Sequence, residues 1–175
     1  MNRQAIIVVG AEGAGTRWVT GLCIAAGCHG SAEHHQPFDH TPPAGETPVV
    51  WRRSLPFGGP PGARVWPDLS RDLHDPLARA GYTVRVLAVV RDPLCTAASQ
   101  LARNLARDES EAFRAIARAN AMIGRFVEEN ALECRWVTYE GIVQRPEGFK
   151  RLLAAWGLKL EEMPAVVDGN AKYGG

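Results

Sequence analysis

The chain has 175 residues, of which 46% are hydrophobic and 22% charged, as in a soluble domain with a hydrophobic core. Its formal net charge of +1 argues against a general nucleic-acid-binding protein. No apolar run approaches the roughly 20 residues that span a membrane, and we recognise no signal peptide. We therefore expect a single cytoplasmic domain, residues 1–175, without a nucleic-acid or membrane partner. The cysteines show no paired spacing, so we expect free thiols.

The N-terminal segment predicts a buried strand, a glycine-rich turn and a helix. Ile6–Val9 is a continuous apolar run, as expected of a strand covered on both faces of a parallel sheet. The residues from Gly15 to Ala26 then have helix-like apolar spacing, and Gly27 marks the end of this helix.

The glycine-rich turn predicts an anion site. Amide groups at a helix N-terminus attract negative charge, and glycines let the backbone approach a phosphate or sulfate closely. The spacing from Gly10 to Gly15 is that of a P-loop. However, Thr16 and then Arg17 stand where a nucleoside triphosphatase has lysine. The turn is therefore not obviously built for ATP and magnesium.

Strands and helices alternate along the rest of the chain. A polar stretch, residues 28–48, is too long for a simple connection. The further predicted strands are Val49–Trp51, Val84–Val90 and Cys134–Thr138, and the further helices are Ser70–Ala80, Leu94–Ala106, Ser110–Asn130 and Pro146–Trp156. This order predicts an α/β, three-layer P-loop-type fold with a central parallel sheet.

Charged residues follow several predicted strands, where the ligands of parallel sheets bind. We expect these residues to share one rim of the sheet; they are Arg17, Arg52, Arg53, Arg91 and Glu140. Ser99 follows Arg91 by eight residues, two turns into the next helix. A guanidinium and a hydroxyl at this spacing can bind the same phosphate.

Taken together, these motifs resemble the sulfotransferases that use 3′-phosphoadenosine 5′-phosphosulfate (PAPS). The turn Ala14-Gly15-Thr16-Arg17 is similar to the family's SGT(T/S) motif, which binds the 5′-phosphosulfate. Arg91-Asp92-Pro93 with Ser99 is similar to the RDP strand end and serine that hold the 3′-phosphate. Tyr139-Glu140, the helix from Pro146 to Leu158 and, less closely, the segment Asn170–Tyr173 complete the resemblance.

The resemblance implies sulfuryl transfer from PAPS to a hydroxyl or amine of a small-molecule or glycan acceptor, with no metal. It implies PAPS contacts from Gly13, Ala14, Gly15, Thr16, Arg17, Trp18, Arg91, Ser99 and Tyr139. The chain is short for the family. The interpretation that a second subunit completes the acceptor pocket is therefore left open.

We assign catalysis to four residues, Arg17, Arg53, Asp39 and His40. Arg17 would supply charge near the transferred group, and Arg53 would neutralise the sulfuryl group or orient the acceptor. The base is sought in the histidine-rich stretch among Glu33, His34, His35, Asp39 and His40, with Asp39 or His40 preferred.

Two departures from the family keep other functions open. Gly13 stands where many members carry lysine or arginine, and Ser54 stands where the small-molecule branch has a catalytic histidine. The alternatives are a small P-loop kinase of a nucleoside or metabolite, and a catalytically inert nucleotide-binding module.

Overall fold

The computed structural model describes residues 3–34, 47–164 and 169–171. A five-stranded parallel sheet lies at its centre, consisting of β1 (Arg3–Ala11), β2 (His29–Gly30), β3 (Val49–Leu55), β4 (Tyr82–Val90) and β5 (Glu133–Thr138). The helices are α1 (Thr16–Ala25), α2 (Asp75–Arg79), α3 (Pro93–Ala102), α4 (Glu109–Glu129), α5 (Tyr139–Gln144) and α6 (Pro146–Ala155). The expected α/β architecture with a central parallel sheet is confirmed.

Apolar residues on both faces of β1 make this strand the centre of the molecule. Ile7 and Val9 pack on the side of α4, and Ile6 and Val8 pack on the side of α1 and α6. All four side chains are almost completely buried, which is why the strand is a continuous apolar run instead of an alternating one. The two cores account for a sheet with helices on each side.

The strand order is β2-β3-β1-β4-β5, and all strands are parallel. The connections first lead to one side of β1 and then to the other. From β1 the chain passes through α1 to β2 at one edge, returns to β3, and then crosses to β4 on the other side of β1. Such a reversal leaves a crevice at the carboxyl ends of the strands. The glycine-rich turn after β1 lies at this crevice.

Strand β3 is longer than predicted, which corrects the position of Arg52 and Arg53. Both arginines lie within β3, opposite Val8 and Val9 of β1, instead of after it. The ladder continues to Leu55 because pairing with β1 satisfies the backbone of this buried segment. The two residues still lie near the carboxyl end of the sheet.

The remaining differences concern short elements and one helix end, since α3, predicted to reach Ala106, ends at Ala102. Neither the two-residue β2 nor α5 was predicted, since both are too short to show a periodic pattern. The predicted helix Ser70–Ala80 consists of a π-helical turn, Ser70–His74, followed by α2. Among the described helices, none is both long enough and apolar enough to cross a membrane.

Candidate functional site

The glycine-rich turn between β1 and α1 has a backbone geometry that requires glycine. Gly13 and Gly15 have φ angles of 89° and 96°, in a region that other residues rarely adopt. Gly15 precedes α1, and a helix directs its first amide groups outward without intrahelical partners. A methyl group on Gly15 would lie 2.8 Å from Cδ2 of Tyr139. Glycine at this position therefore both allows the positive φ and makes room for the Tyr139 ring at the start of α1.

One amide of the turn is already used within the protein. The Ala14 N–H donates to the Ala11 carbonyl at 2.9 Å, and the Ala14 side chain is buried. The Glu12 N–H likewise donates to Leu55 at the end of β3, also at 2.9 Å. These bonds fix the turn, so a ligand would bind to the amides at the start of α1.

The first residue of α1 is connected to the end of β3 through side chains. Thr16 Oγ1 lies 2.8 Å from Ser54 Oγ, and both residues are buried. In the part of the chain that the structure describes, no three histidine, cysteine or acidic side chains are grouped around a possible metal position.

Arg91 follows β4 and reaches the glycine-rich turn. Its Nη1 donates to the Gly13 carbonyl at 3.0 Å, and its Nε donates to Asn170 Oδ1 at 2.6 Å. The guanidinium also lies over the ring of Tyr139, 4.9 Å from the ring centre. The side chain is therefore held in place by three separate segments of the chain.

Ser99 lies on α3 against the same glycine. A Cβ atom on Gly13 would lie 3.4 Å from Ser99 Oγ and 3.2 Å from the Thr96 carbonyl. Asp92 caps α3 by accepting from the Cys95 N–H at 2.9 Å, which fixes the helix behind Arg91. The structure thus brings the predicted phosphate-binding pair, Arg91 and Ser99, together at the Gly13 peptide.

Tyr139 and Trp18 form an aromatic wall beside the turn. Their rings are 5.1 Å apart in an edge-to-face arrangement, and Tyr139 is buried against Gly15. The Tyr139 hydroxyl accepts a hydrogen bond from the Gly169 N–H at 2.9 Å. Both aromatic residues were predicted to contact the donor, and both lie at the turn.

Glu140 connects three segments at this edge. Its Oε1 accepts from the Asp92 N–H at 3.0 Å and from Asn170 Nδ2 at 2.8 Å. Asn170 therefore bridges Arg91 and Glu140, so the C-terminal segment belongs to this cluster. Lys172 and Tyr173 lie outside the described residues.

Arg17 lies in the first turn of α1, as predicted, but its side chain is already paired with an acidic residue, Glu33. It forms a bidentate ion pair with Glu33, and both side chains are exposed. The hydrogen bond from Arg17 lowers the pKa of the Glu33 carboxyl below its usual value. Glu33 is therefore a poorer base than a free carboxylate.

The other proposed bases are only partly covered by the structure. His34 is exposed, and its backbone N–H donates to Ser31 Oγ at 3.3 Å. His35, Asp39 and His40 lie outside the described residues.

Arg52 and Arg53 point to opposite faces of the sheet and are both buried. Arg52 Nη2 donates to the Glu33 carbonyl at 3.2 Å, on the side of α1. Arg53, only 2% exposed, stacks on the ring of Phe57 at 4.2 Å. Its Nε is buried without a hydrogen-bond partner among the described residues, and burial lowers its pKa. A buried cation in such surroundings favours an anionic partner.

Glu12 brings a carboxylate into the turn that the sequence analysis did not single out. Its Oε1 lies 3.0 Å from Arg103 Nη2, and its Oε2 lies 3.8 Å from Arg64 Nη2. Its carbonyl also accepts from Gln100 Nε2 at 2.7 Å. The two arginines neutralise Glu12, so it does not repel an anion. Because they come from distant segments, no local pattern indicates this arrangement.

Comparison with known proteins gives no assignment. No model of a protein family matches this sequence, and no curated protein is detectably similar to it.

Proposed function

We propose that this protein is a sulfotransferase that transfers a sulfuryl group from PAPS to a hydroxyl or amine acceptor. The convergence of Arg91 and Ser99 on the Gly13 peptide carries this proposal. A guanidinium, a hydroxyl and open backbone amides at one strand edge suit a ligand with two separate anionic groups. PAPS is such a ligand.

The residues present are consistent with contacts to two anionic groups of one PAPS molecule. The amides at the start of α1 would hold the 5′-phosphosulfate, and Arg91 with Ser99 would hold the 3′-phosphate. Gly13 and Gly15 support the first assignment, since their positive φ angles shape the turn that leads into α1. Trp18 and Tyr139 would flank the donor beside the turn.

The proposed transfer depends mainly on the alignment of the donor with the acceptor and on neutralisation of the negative charge of the transferred group. The sulfur–oxygen bond to the 5′-phosphate breaks, the leaving phosphate oxygen keeps the electron pair, and the acceptor oxygen or nitrogen forms the new bond to sulfur. The acceptor proton passes to a base, for which Asp39 and His40 stay our candidates. Arg53 would help to neutralise the sulfuryl group, and Arg17 would have to leave Glu33 to do the same.

Calorimetric titration with 3′,5′-ADP, the product of the donor, tests the binding site. We expect Arg91→Ala to weaken 3′,5′-ADP binding by about tenfold to a hundredfold, because a charge-assisted hydrogen bond is lost. Arg91→Lys and Ser99→Ala should have intermediate effects. Arg151→Ala, at an exposed position of α6, is the matched control and should bind like the wild type.

Three results distinguish the functions. Binding of 3′,5′-ADP that depends on Arg91, together with sulfate transfer from PAPS, supports the proposal. A preference for ATP with magnesium contradicts it and favours the kinase. Binding of 3′,5′-ADP without transfer to any of a panel of hydroxyl and amine acceptors favours the inert module.

A further inference from the structure

A second candidate site lies next to the glycine-rich turn, on the side of α4. Here a cavity of about 370 Å³ opens between residues 56–66 and the N-terminal half of α4. Its wall includes Pro56, the residue directly after β3, and Trp66 at the far end of the same loop. The volume is large enough for a small organic molecule.

The cavity carries an excess of positive charge. Among the described residues that line it are three arginines, Arg64, Arg114 and Arg118, and one acidic residue, Glu111. Glu111 is already engaged, because its Oε2 accepts from the Arg107 N–H at 2.8 Å and from Arg107 Nε at 3.0 Å. The charge of the lining glutamate is thus compensated from outside the cavity. Arg64 is paired with Glu12, so Arg114 and Arg118 supply the excess positive charge.

One of these arginines is built into the wall. The Arg64 side chain is only 6% exposed, and its Nη2 donates to the Pro56 carbonyl at 2.7 Å. Its Nε is buried without a hydrogen-bond partner among the described residues, and burial lowers its pKa. Its Nη1 also donates to the Leu105 carbonyl at 3.3 Å, so the guanidinium is a fixed positive charge in the cavity wall.

The rest of the wall is flat and apolar. Trp66 lies under the guanidinium of Arg118, whose Cζ is 4.1 Å from the ring centre. Ala115 and Pro56 add small apolar surfaces. An indole ring, arginine planes and short side chains suit a planar aromatic ligand.

The cavity and the glycine-rich turn share a wall. Leu55, next to Pro56, accepts the hydrogen bond from Glu12 in the turn at 2.9 Å. Arg64 contacts both sides, since its Nη2 also lies 3.8 Å from Glu12 Oε2. The cavity therefore adjoins the turn, with the Arg64 side chain between them.

We propose that this cavity is the acceptor site and that it binds a small aromatic compound carrying both a hydroxyl and a carboxylate. The arginines would bind the carboxylate, Trp66 would contact the ring, and the hydroxyl would face the turn. This inference rests on the proposed function, because it names the substrate class of the same reaction.

The first experiment measures binding without any nucleotide. Wild-type protein is titrated calorimetrically with 4-hydroxybenzoate and with its neutral counterpart 4-hydroxybenzamide. We expect the benzoate to bind at least about tenfold more tightly, since only its carboxylate pairs with arginine. Equal affinity for the two compounds, or binding of neither, would overturn the proposal.

Variants then locate the binding. The double variant Arg114→Gln/Arg118→Gln should lose about tenfold in affinity for 4-hydroxybenzoate and keep its affinity for 3′,5′-ADP. Arg125→Gln, an exposed position farther along α4, is the matched control and should change neither affinity. Unchanged benzoate binding in the double variant would overturn the location.

A kinetic measurement links the cavity to the reaction. With PAPS as donor, the double variant should raise KM for 4-hydroxybenzoate about tenfold and leave kcat nearly unchanged, because the arginines bind the acceptor and not the transferred group. A fall in kcat with an unchanged KM would contradict an acceptor site. Failure of 3′,5′-ADP to bind the wild type would instead contradict the proposed function, and the nucleotide-free titration separates the two failures.

Discussion

At the scale of single residues, the clearest feature is a buried arginine that stacks on an aromatic ring and makes no ion pair with a carboxylate within hydrogen-bonding distance among the described residues. Arg53 is 2% exposed and stacks on Phe57, and its Nε is unsatisfied among the described residues. Burial of a charge without full hydrogen bonding costs stability. Arg53 therefore lowers the stability of the folded protein and places a positive charge at the carboxyl end of the sheet, near the candidate site.

Replacing this arginine should separate stability from function. We expect Arg53→Met to raise the unfolding free energy of the ligand-free protein by about 1 kcal/mol, because a buried charge is removed and its volume kept. Sulfate transfer should fall by at least about tenfold. Urea denaturation and a transfer assay measure the two effects.

Arg85 offers a matched control for this substitution. It lies half-buried on β4, and its Nε and Nη1 donate to Glu133 and Gln4, both at 2.9 Å. Arg85→Met should therefore lower stability, since its partners lose their hydrogen bonds. If Arg53→Met destabilises the protein as much as Arg85→Met does, the view of Arg53 as an unsatisfied cation is wrong.

At the scale of elements, the turn from β1 to α1 depends on the close approach of Tyr139. Gly15→Ala places a methyl group 2.8 Å from the Tyr139 ring and forces a φ of 96° on alanine. We expect a loss of about 2 kcal/mol in stability and a marked weakening of 3′,5′-ADP binding. Thermal unfolding and calorimetry check this.

The same helix contains its own control. Gly21 lies within α1, and a Cβ atom there meets nothing within 4 Å. Gly21→Ala should stabilise the protein by about 0.5–1 kcal/mol, because alanine favours the helix, and should leave ligand binding unchanged. Similar effects of both substitutions would show that the turn has no special role.

Sequence patterns predicted the long elements well, and their ends less well. The helix predicted at Ser110–Asn130 is α4, because its apolar residues recur at helical spacing over many turns. Residues 52–55 were assigned outside β3, since two adjacent arginines and a serine look like a solvent-exposed segment in the sequence. These positions belong to a buried strand because they pair with β1 and are covered by other parts of the fold. The local sequence shows neither of these contacts.

Aromatic residues show the same limit. Trp156 is buried, whereas Trp136 is 48% exposed on the edge strand β5. The apolar nature of a strand residue does not reveal which face is covered, and an edge strand is covered less. Trp156 is also fixed by a hydrogen bond from its Nε1 to Glu133 Oε1 at 2.8 Å.

At the scale of the whole molecule, the parallel sheet decides which parts of the candidate site the sequence could indicate. The turn, Arg91, Ser99 and Tyr139 follow strand ends, so a strand order that joins those ends predicts their proximity. The contact of Glu12 with Arg64 and Arg103 was not predicted. It depends on where the loop after β3 and the end of α3 come together, which only the folded chain defines.

The thiols provide a test of the whole fold. Cys23, on α1, and Cys28, shortly after it, are both buried, and burial raises the pKa of Cys28 to about 12 and that of Cys23 well above its usual value. We expect both to resist a thiol reagent at pH 8 until the protein unfolds, because the thiolate is the reacting form. Half-buried Cys95 and Cys134 should react earlier.

The same shifts give a direction for the dependence of stability on pH. In the unfolded chain the thiols lose their protons near pH 8.5, whereas in the folded protein they keep them to higher pH. Their contribution is complete below about pH 8.5 and is lost as the pH rises toward the folded value. Denaturation at pH 7 and pH 10 measures this, and Cys28→Ala should reduce the difference.

Arg64 belongs to two neighbourhoods at once, since it touches the carboxylate within the glycine-rich turn and lines the adjoining cavity. An anion that binds to this guanidinium from the cavity would change the electrostatic potential at the glycine-rich turn. Communication between two ligands through a common residue is reciprocal: the factor by which the first alters the affinity of the second equals the factor in the opposite direction. If the two proposed ligands bind as we propose, Arg64 would therefore couple their affinities.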